Sequence, residues 1–384
     1  MSWDTLFCPA CEGSPEYPFT AWRCPSCLGP LSWHGPATFT RDQIDASSSF
    51  IWRYSATLPA IEPRIGYNER PTPMTSLSIG GARTLAKLET QHPTASFKDR
   101  GCALLVNAFA QERVERLVED SSGNAASSLA GYAARAGIAC TIFAPAGASP
   151  GKLIQAEAYG ADVVRVEGSR ADVAAAAEAQ HDADRGVFYA SHNWHPWFIA
   201  GVTTWALEIW EQRGFSAPTA IVAPVGSGSL ILGAYAAFTM LRNGGEISQL
   251  PRLYAAQPAA CAPVVTAVDS HQITTRRFAQ QPTMAEGASI ANPVRGSEVL
   301  TAIRATGGGA IAVSEVDIRA ATIVSARQGL FIEPTSALAV AAAQQLIEAG
   351  TIPGTEETVV VLTGSGLKAQ TKIADLLSSD DRNI

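Results

Sequence analysis

The chain has 384 residues, of which 47% are hydrophobic and 16% charged, and a formal net charge of -7. That length exceeds one ordinary core, so two domains and a small appendage are expected. An acidic balance without any run of lysines or arginines argues against nucleic acid or an anionic membrane surface as partner, and leaves a small molecule as the expected ligand.

The opening MSWDTLFC carries an acid where a signal peptide needs basic residues, and no apolar run reaches the length of a membrane span. A cytoplasmic protein is the expectation. Residues 1–35 are rich in Cys, Pro, Gly and Trp and show little periodicity, so something other than a core must hold them. Cys8-x-x-Cys11 and Cys24-x-x-Cys27 supply four thiolates in the spacing of a zinc ribbon, and a structural Zn2+ on Cys8, Cys11, Cys24 and Cys27 would fold this head. Four sulfur ligands leave no open position for catalysis. Arg23 is the only basic residue of the head, which speaks against a nucleic-acid-binding ribbon. Cys102, Cys140 and Cys261 lie in apolar or helical contexts and read as core residues.

From about residue 81 short β-branched runs alternate with Ala/Leu-rich stretches of helical length. The runs are VERLVED, IACTIFAP, ADVVRVEG, VFYAS, TAIVAPV, RLYAAQ, GAIAV and TVVVLTG. Such alternation predicts α/β architecture: two three-layer α/β/α domains with mostly parallel sheets, plus the small zinc-ribbon-like segment. Ala171 to Ala179 reads as a helix.

In HPTASFKDRGCALL, Lys98 stands where a helix begins, with Phe97 before it and an acid-base pair after it. Screening by Phe97 and apolar neighbours would lower its pKa and make it usable as nucleophile and base. Three strands run into polar glycine turns, any one of which could be mere punctuation. In Gly226-Ser227-Gly228-Ser229 small residues let backbone N–H groups converge at a helix start, as a phosphate requires. The stretch is neither a Walker loop nor a dinucleotide fingerprint. Ser121-Ser122-Gly123-Asn124 forms a second anion site suited to a carboxylate. A lone lysine, a phosphate site and a carboxylate site together describe pyridoxal 5'-phosphate meeting an amino acid.

Four motifs then carry a resemblance. PTASFKDRG resembles the PTGSFKDRG of the fold-type II pyridoxal-phosphate enzymes, and of the threonine synthases within them. SSGNAASSLAGYAARAGI is similar to their S(S/T)GN helix, FIEPTSALAV to their EPxSA segment and VVVLTGSGLK to their LTGxGLK. The likeness spans roughly residues 64 to 370, and CPSCLGPL resembles the cysteine-rich head of some threonine synthases. The resemblance implies Lys98 as the Schiff-base lysine, Asn124 on the cofactor's phenolic oxygen, Gly226 to Ser229 on its phosphate and Thr363 at the pyridine nitrogen. It implies a larger cofactor-binding domain of residues 36–97 and 207–384, a smaller one of 98–206, the cofactor in the cleft between them, and a homodimer. Ser121, Ser122, Gly123, His192 and Asn193 are the candidate substrate contacts, although loop histidines are as often packing groups. Glu333 either opens a helix, with Pro at its first position, or approaches the cofactor ring.

Two departures bear on the substrate. Ala125 stands where threonine synthases often have Thr. Phe198 stands where they place an Arg, three residues before the glycine matching Gly201, that grips the substrate's phosphate. Arg295, Arg83 and Lys368 are the cations that could compensate. The expected function is a lyase or synthase acting at the β or γ carbon of a small amino acid, with O-phosphohomoserine the first candidate. The alternatives are β-elimination or replacement, as in serine/threonine dehydratases, diaminopropionate ammonia-lyase or cysteate-synthase-like proteins. A reading from another class is a non-catalytic pyridoxal-phosphate-binding regulator, against which the retained lysine argues.

Overall fold

A computed structural model describes residues 6–11, 17–148 and 150–378. The opening MSWDT, read above for a signal peptide, lies outside them. The chain divides into two compact units, one comprising the described residues up to Arg70 with Ser96–Thr204, the other Pro71–Ala95 with everything described from Trp205 onward.

In the first unit four strands form a wholly parallel sheet in the order Asp162–Val166, Ala139–Pro145, Arg116–Glu119, Val187–Tyr189. The helices Lys98–Gln111, Asn124–Ala136, Pro150–Ala158 and Arg170–Ala183 belong to it. The second of these, NAASSLAGYAARA, is lined by small residues on its buried side, which lets the Lys98 helix come close. It stops at Gly137, whose left-handed φ of 68° closes the helix as a C-terminal glycine does.

Residues 36 to 70 lie with this first unit rather than with the larger one. The reason is Asn107: its side-chain oxygen accepts the N–H groups of Arg64 at 2.8 Å and Ile65 at 3.0 Å, and its amide donates to the Ile65 carbonyl at 2.9 Å. Tyr132 donates its hydroxyl to Glu69 in the same segment.

The second unit holds a six-stranded sheet in the order Gly309–Val313, Arg252–Pro258, Ala220–Pro224, Thr358–Leu362, Ala82–Leu88, Met74–Ile79. Every pair is parallel except the last. TVVVL is buried along its whole length in the middle of the sheet, as an uninterrupted β-branched run should be. MTSLSI instead alternates at the edge, with Leu77 and Ile79 inward and Ser76 and Ser78 outward. The Ala-rich helix Pro334–Glu348 packs along this sheet and supplies much of the core. All eight runs read as strands are strands, and the predicted Ala-rich helix is observed as Arg170–Ala183. Among the described residues no helix is long and apolar enough to cross a membrane.

Candidate active site

Lys98 opens its helix directly after Phe97. The next residue, Asp99, is buried and accepts the Ser128 hydroxyl at 2.6 Å, which ties the start of this helix to the Asn124 helix. The Lys98 amine lies 4.6 Å from the Phe97 ring centre and 5.4 Å from that of Phe198. Two rings at this range exclude water from one side of the amine while their faces still tolerate a cation. Phe198 is held there by Gly101, where any Cβ would overlap the ring. Gly201, further along the same helix as Phe198, has no room for a Cβ against the Arg100 carbonyl, so the two helices touch backbone to backbone. Ser96, two residues before the lysine, keeps its hydroxyl buried with no hydrogen-bond partner among the described residues. Sequence reasoning passed over this serine.

The SSGN turn follows the strand Arg116–Glu119, and Asn124 is the first residue of its helix. Ser121 accepts the Gly123 N–H at 3.3 Å, and nothing lies within 4 Å of where a Cβ on Gly123 would stand. Open space against the backbone at a helix start is what an anionic ligand would use.

The strand's last residue, Glu119, is joined to His192, one of the predicted substrate contacts. Its carboxyl Oε1 lies 2.6 Å from His192 Nδ1, and its Oε2 accepts the His192 backbone N–H at 3.2 Å. Burial, then the neighbouring Asp120, holds the Glu119 carboxyl well above the usual range. Burial, then Lys98 and Arg170, holds the His192 imidazole well below its own. The pair is therefore favoured as neutral partners. Asp120 accepts hydroxyls from Tyr189 at 2.6 Å and Ser191 at 3.1 Å. Beside His192, the side-chain oxygen of Asn193 is buried with no partner among the described residues. A buried polar atom left so is normally completed by a ligand or water.

In the second unit the turn Gly226 to Ser229 joins the strand Ala220–Pro224 to the helix Ser229–Asn243. Gly228 has a left-handed φ of 92° and would overlap Val299 with any Cβ, while a Cβ on Gly226 would lie 2.8 Å from the Gly287 carbonyl. Glu333 is the residue before the helix Pro334–Glu348, with Pro at the first position, and its N–H bonds the Gly364 carbonyl at 3.0 Å. Its carboxylate also accepts the Thr363 hydroxyl at 3.4 Å and covers Gly364. Ser336 completes the group, 3.0 Å from the Thr363 hydroxyl and accepting the Gly364 N–H at 2.9 Å.

Of the cations that could compensate at Phe198, Arg295 is buried and bonds Glu298 at 3.0 Å, Arg83 donates to Ser76 at 3.2 Å, and Lys368 donates to the Thr94 carbonyl at 2.9 Å. Each is engaged within its own unit.

The head is held by the strand pair Leu6–Phe7 and Ser32–Trp33. The four sulfurs of Cys8, Cys11, Cys24 and Cys27 lie within 4.8 Å of one another, with Cys8 to Cys27 at 3.5 Å and Cys24 to Cys11 at 3.9 Å. A tetrahedral zinc with bonds of about 2.3 Å would set its sulfurs about 3.8 Å apart, so this set fits the ion. The Gly29 N–H donates to Cys27 Sγ at 3.4 Å. The head also grips the chain that carries His192. Trp22 packs edge-on against Tyr189 and Trp194, and Trp197 stacks on Phe19 at 4.5 Å while donating to its carbonyl at 2.8 Å. Cys102, Cys140 and Cys261 are buried thiols.

An amine beside two rings, a glycine-walled turn at a helix start and a buried hydroxyl group at a strand end are the donors that one enzyme class combines. Residues 65–364 match the pyridoxal-phosphate dependent enzyme family, and the chain belongs to that family. It is similar to the threonine synthase of Methanocaldococcus jannaschii, 32% identical over 327 residues that cover 83% of this chain and 80% of that protein. The threonine synthase of Methanosarcina acetivorans is 29% identical over 376 residues, 96% of this chain and 92% of its own. Among solved structures, a threonine deaminase from T.th. superposes with a TM-score of 0.64 at 28% identity, over 77% of this chain and 92% of its own. Maize serine racemase shares the fold with a TM-score of 0.68 at 21% identity, over 80% of this chain and 92% of its own.

Proposed function

We propose that this enzyme is a pyridoxal-phosphate-dependent lyase that removes or replaces a group at the β or γ carbon of a small amino acid. The observation that carries the reading is Lys98, placed at a helix start beside the Phe97 and Phe198 rings, within the stretch that matches the family. Lys98 would bind the cofactor covalently, Gly226 to Ser229 its phosphate, Asn124 its phenolic oxygen and Thr363 its pyridine nitrogen. Bound, the cofactor supplies an electron sink that lets bonds at the amino acid's α carbon break. The Lys98 Nζ would also be the base that takes up the proton lost from that carbon. A hydroxyl at the pyridine nitrogen, rather than a carboxylate, favours elimination and replacement over transamination. The Ser121 to Gly123 turn would orient the substrate carboxylate through backbone N–H groups. The four head cysteines would hold one structural zinc.

Conversion of O-phosphohomoserine to threonine is the first named candidate, because the relatives above are threonine synthases. A second reading, β-elimination or replacement, is favoured by Phe198, whose apolar ring stands beside Lys98 where the resemblance expects a phosphate-gripping Arg. Losing such a charge-assisted contact would weaken phosphate binding by roughly 10- to 100-fold. A spectral screen of the purified holoenzyme against amino acids and phosphoamino acids decides between them. Changes in the cofactor's visible absorption with unphosphorylated amino acids, and weak response to O-phosphohomoserine, support the second reading. Threonine formation from micromolar O-phosphohomoserine restores the first.

A further inference from the structure

We propose that Glu119 and His192 form a proton-donating pair for the leaving group, with His192 Nε2 facing the bound amino acid and Glu119 behind it as proton source. This rests on the proposed function and sharpens it: the substrate class becomes an amino acid whose departing group needs a proton, such as a hydroxyl. The pair has the geometry for that task. Nδ1 is committed to Glu119 at 2.6 Å, which leaves Nε2 as the ring nitrogen available to a ligand. Both are buried, His192 at 7% and Glu119 at 1% exposure, so the histidine is the less enclosed member of the pair. Phe198 links the pair to the lysine, its ring 5.7 Å from that of His192 and 5.4 Å from the Lys98 amine. The adjacent Asn193 oxygen, buried and without a partner among the described residues, offers an acceptor beside the same nitrogen's residue.

The surroundings favour the proton-loaded state. The charged groups felt by the pair are Lys98, Arg170 and Asp120: burial and Asp120 keep Glu119 protonated against the pull of Arg170 and Lys98, and burial, Lys98 and Arg170 all keep His192 neutral. In that state the Glu119 O–H donates to Nδ1 and the proton on Nε2 points outward. The step balances without any further reactant. As the Cβ–O bond breaks, its electron pair goes to the oxygen, which takes the Nε2 proton and leaves as water. The carboxyl proton of Glu119 passes to Nδ1, so the imidazole stays neutral and changes tautomer. The new carboxylate keeps two donors, Nδ1–H and the His192 backbone N–H. The proton from the α carbon is held by Lys98. A phosphate leaving group has no need of this pair, since it departs as a stable anion and asks for a cation instead.

The test compares two probes on the holoenzyme, L-serine, which must lose a hydroxyl, and β-chloro-L-alanine, which loses chloride without a proton. Glu119→Gln keeps the shape of the side chain but has no transferable proton, and His192→Asn removes Nε2. Each should lower release of water from serine on the order of 100-fold, as loss of a general acid does, with a much smaller loss of chloride release. The double variant should be no worse than His192→Asn alone. Chloride release and the cofactor's absorption show that each variant is folded and loaded. Equal losses on both probes, or none, overturn the proposal and leave the lyase reading standing. A wild-type enzyme that releases chloride but no water overturns it in the same way. If neither probe reacts with the wild type, elimination itself is excluded and the pair falls with it.

Discussion

The turns at Gly123 and Gly228 each follow a parallel strand and open a helix, yet their glycines serve different ends. At Gly228 the left-handed φ of 92° and the Val299 side chain each demand the absence of a Cβ. At Gly123 the φ is -123° and the space beside it is empty. One glycine is fixed by the protein's own packing, whereas the other borders open space, where the proposed function puts the substrate carboxylate. Substitution should therefore separate folding from binding, and the size of each effect follows from what the added carbon meets.

The largest effect belongs to Gly228→Ala. A left-handed residue and an overpacked contact together cost about 2–5 kcal/mol, and the proposed phosphate role of the turn predicts that cofactor content falls as well. Urea unfolding and cofactor content per chain measure both, and a variant of wild-type stability would show that Val299 yields without strain. Next comes Ser336→Ala, which removes the acceptor of the buried Gly364 N–H and the neighbour of Thr363. Leaving those groups unpaired costs about 1–3 kcal/mol, which should appear in the same unfolding curves together with looser cofactor binding. The smallest change in stability is expected for Gly123→Ala, within about 0.5 kcal/mol of the parent, while amino-acid affinity falls roughly tenfold as the methyl group occupies the ligand's space. Should that variant unfold early while binding normally, the contrast between the two turns would be wrong.

The sequence announces some of these features and conceals others for physical reasons. The eight strands beyond residue 110 are short, largely apolar runs, so composition exposes them even at the sheet edges, where Asp162–Val166 and Gly309–Val313 stay partly open to solvent. Ala82–Leu88 is less visible because it carries Lys87, whose buried amine meets Glu208 at 2.7 Å, the Thr72 carbonyl at 2.6 Å and Gln212 at 2.9 Å, partners far along the chain or outside the strand. Met74–Ile79 is an edge strand half open to solvent, and its outward serines dilute the apolar signal. At the site, Lys98, Asn124 and the glycine turns stand out because local chemistry requires small or polar residues at helix starts. Glu119 gives no such signal. It looks like the polar end of a strand, and its partner His192 is 73 residues away. Ser336 is hidden in the same way, since its meaning comes from Thr363, 27 residues later. The place of residues 36 to 70 is likewise set by distant side chains, Asn107 and Tyr132 among them.

The head and the α/β body differ in the same sense. The body is held by apolar burial, whereas the head relies on its four converging thiols and on aromatic contacts with the segment bearing His192. Metal analysis should find one zinc per chain, and an ordered, metal-free head under reducing conditions would contradict that expectation.

The central claim is that Lys98 carries the cofactor. Reduction of the holoenzyme with borohydride, followed by peptide mass spectrometry, should place the pyridoxyl group on the peptide containing Ser96-Phe97-Lys98. Its appearance on Lys87, Lys152 or Lys368 instead would contradict the account.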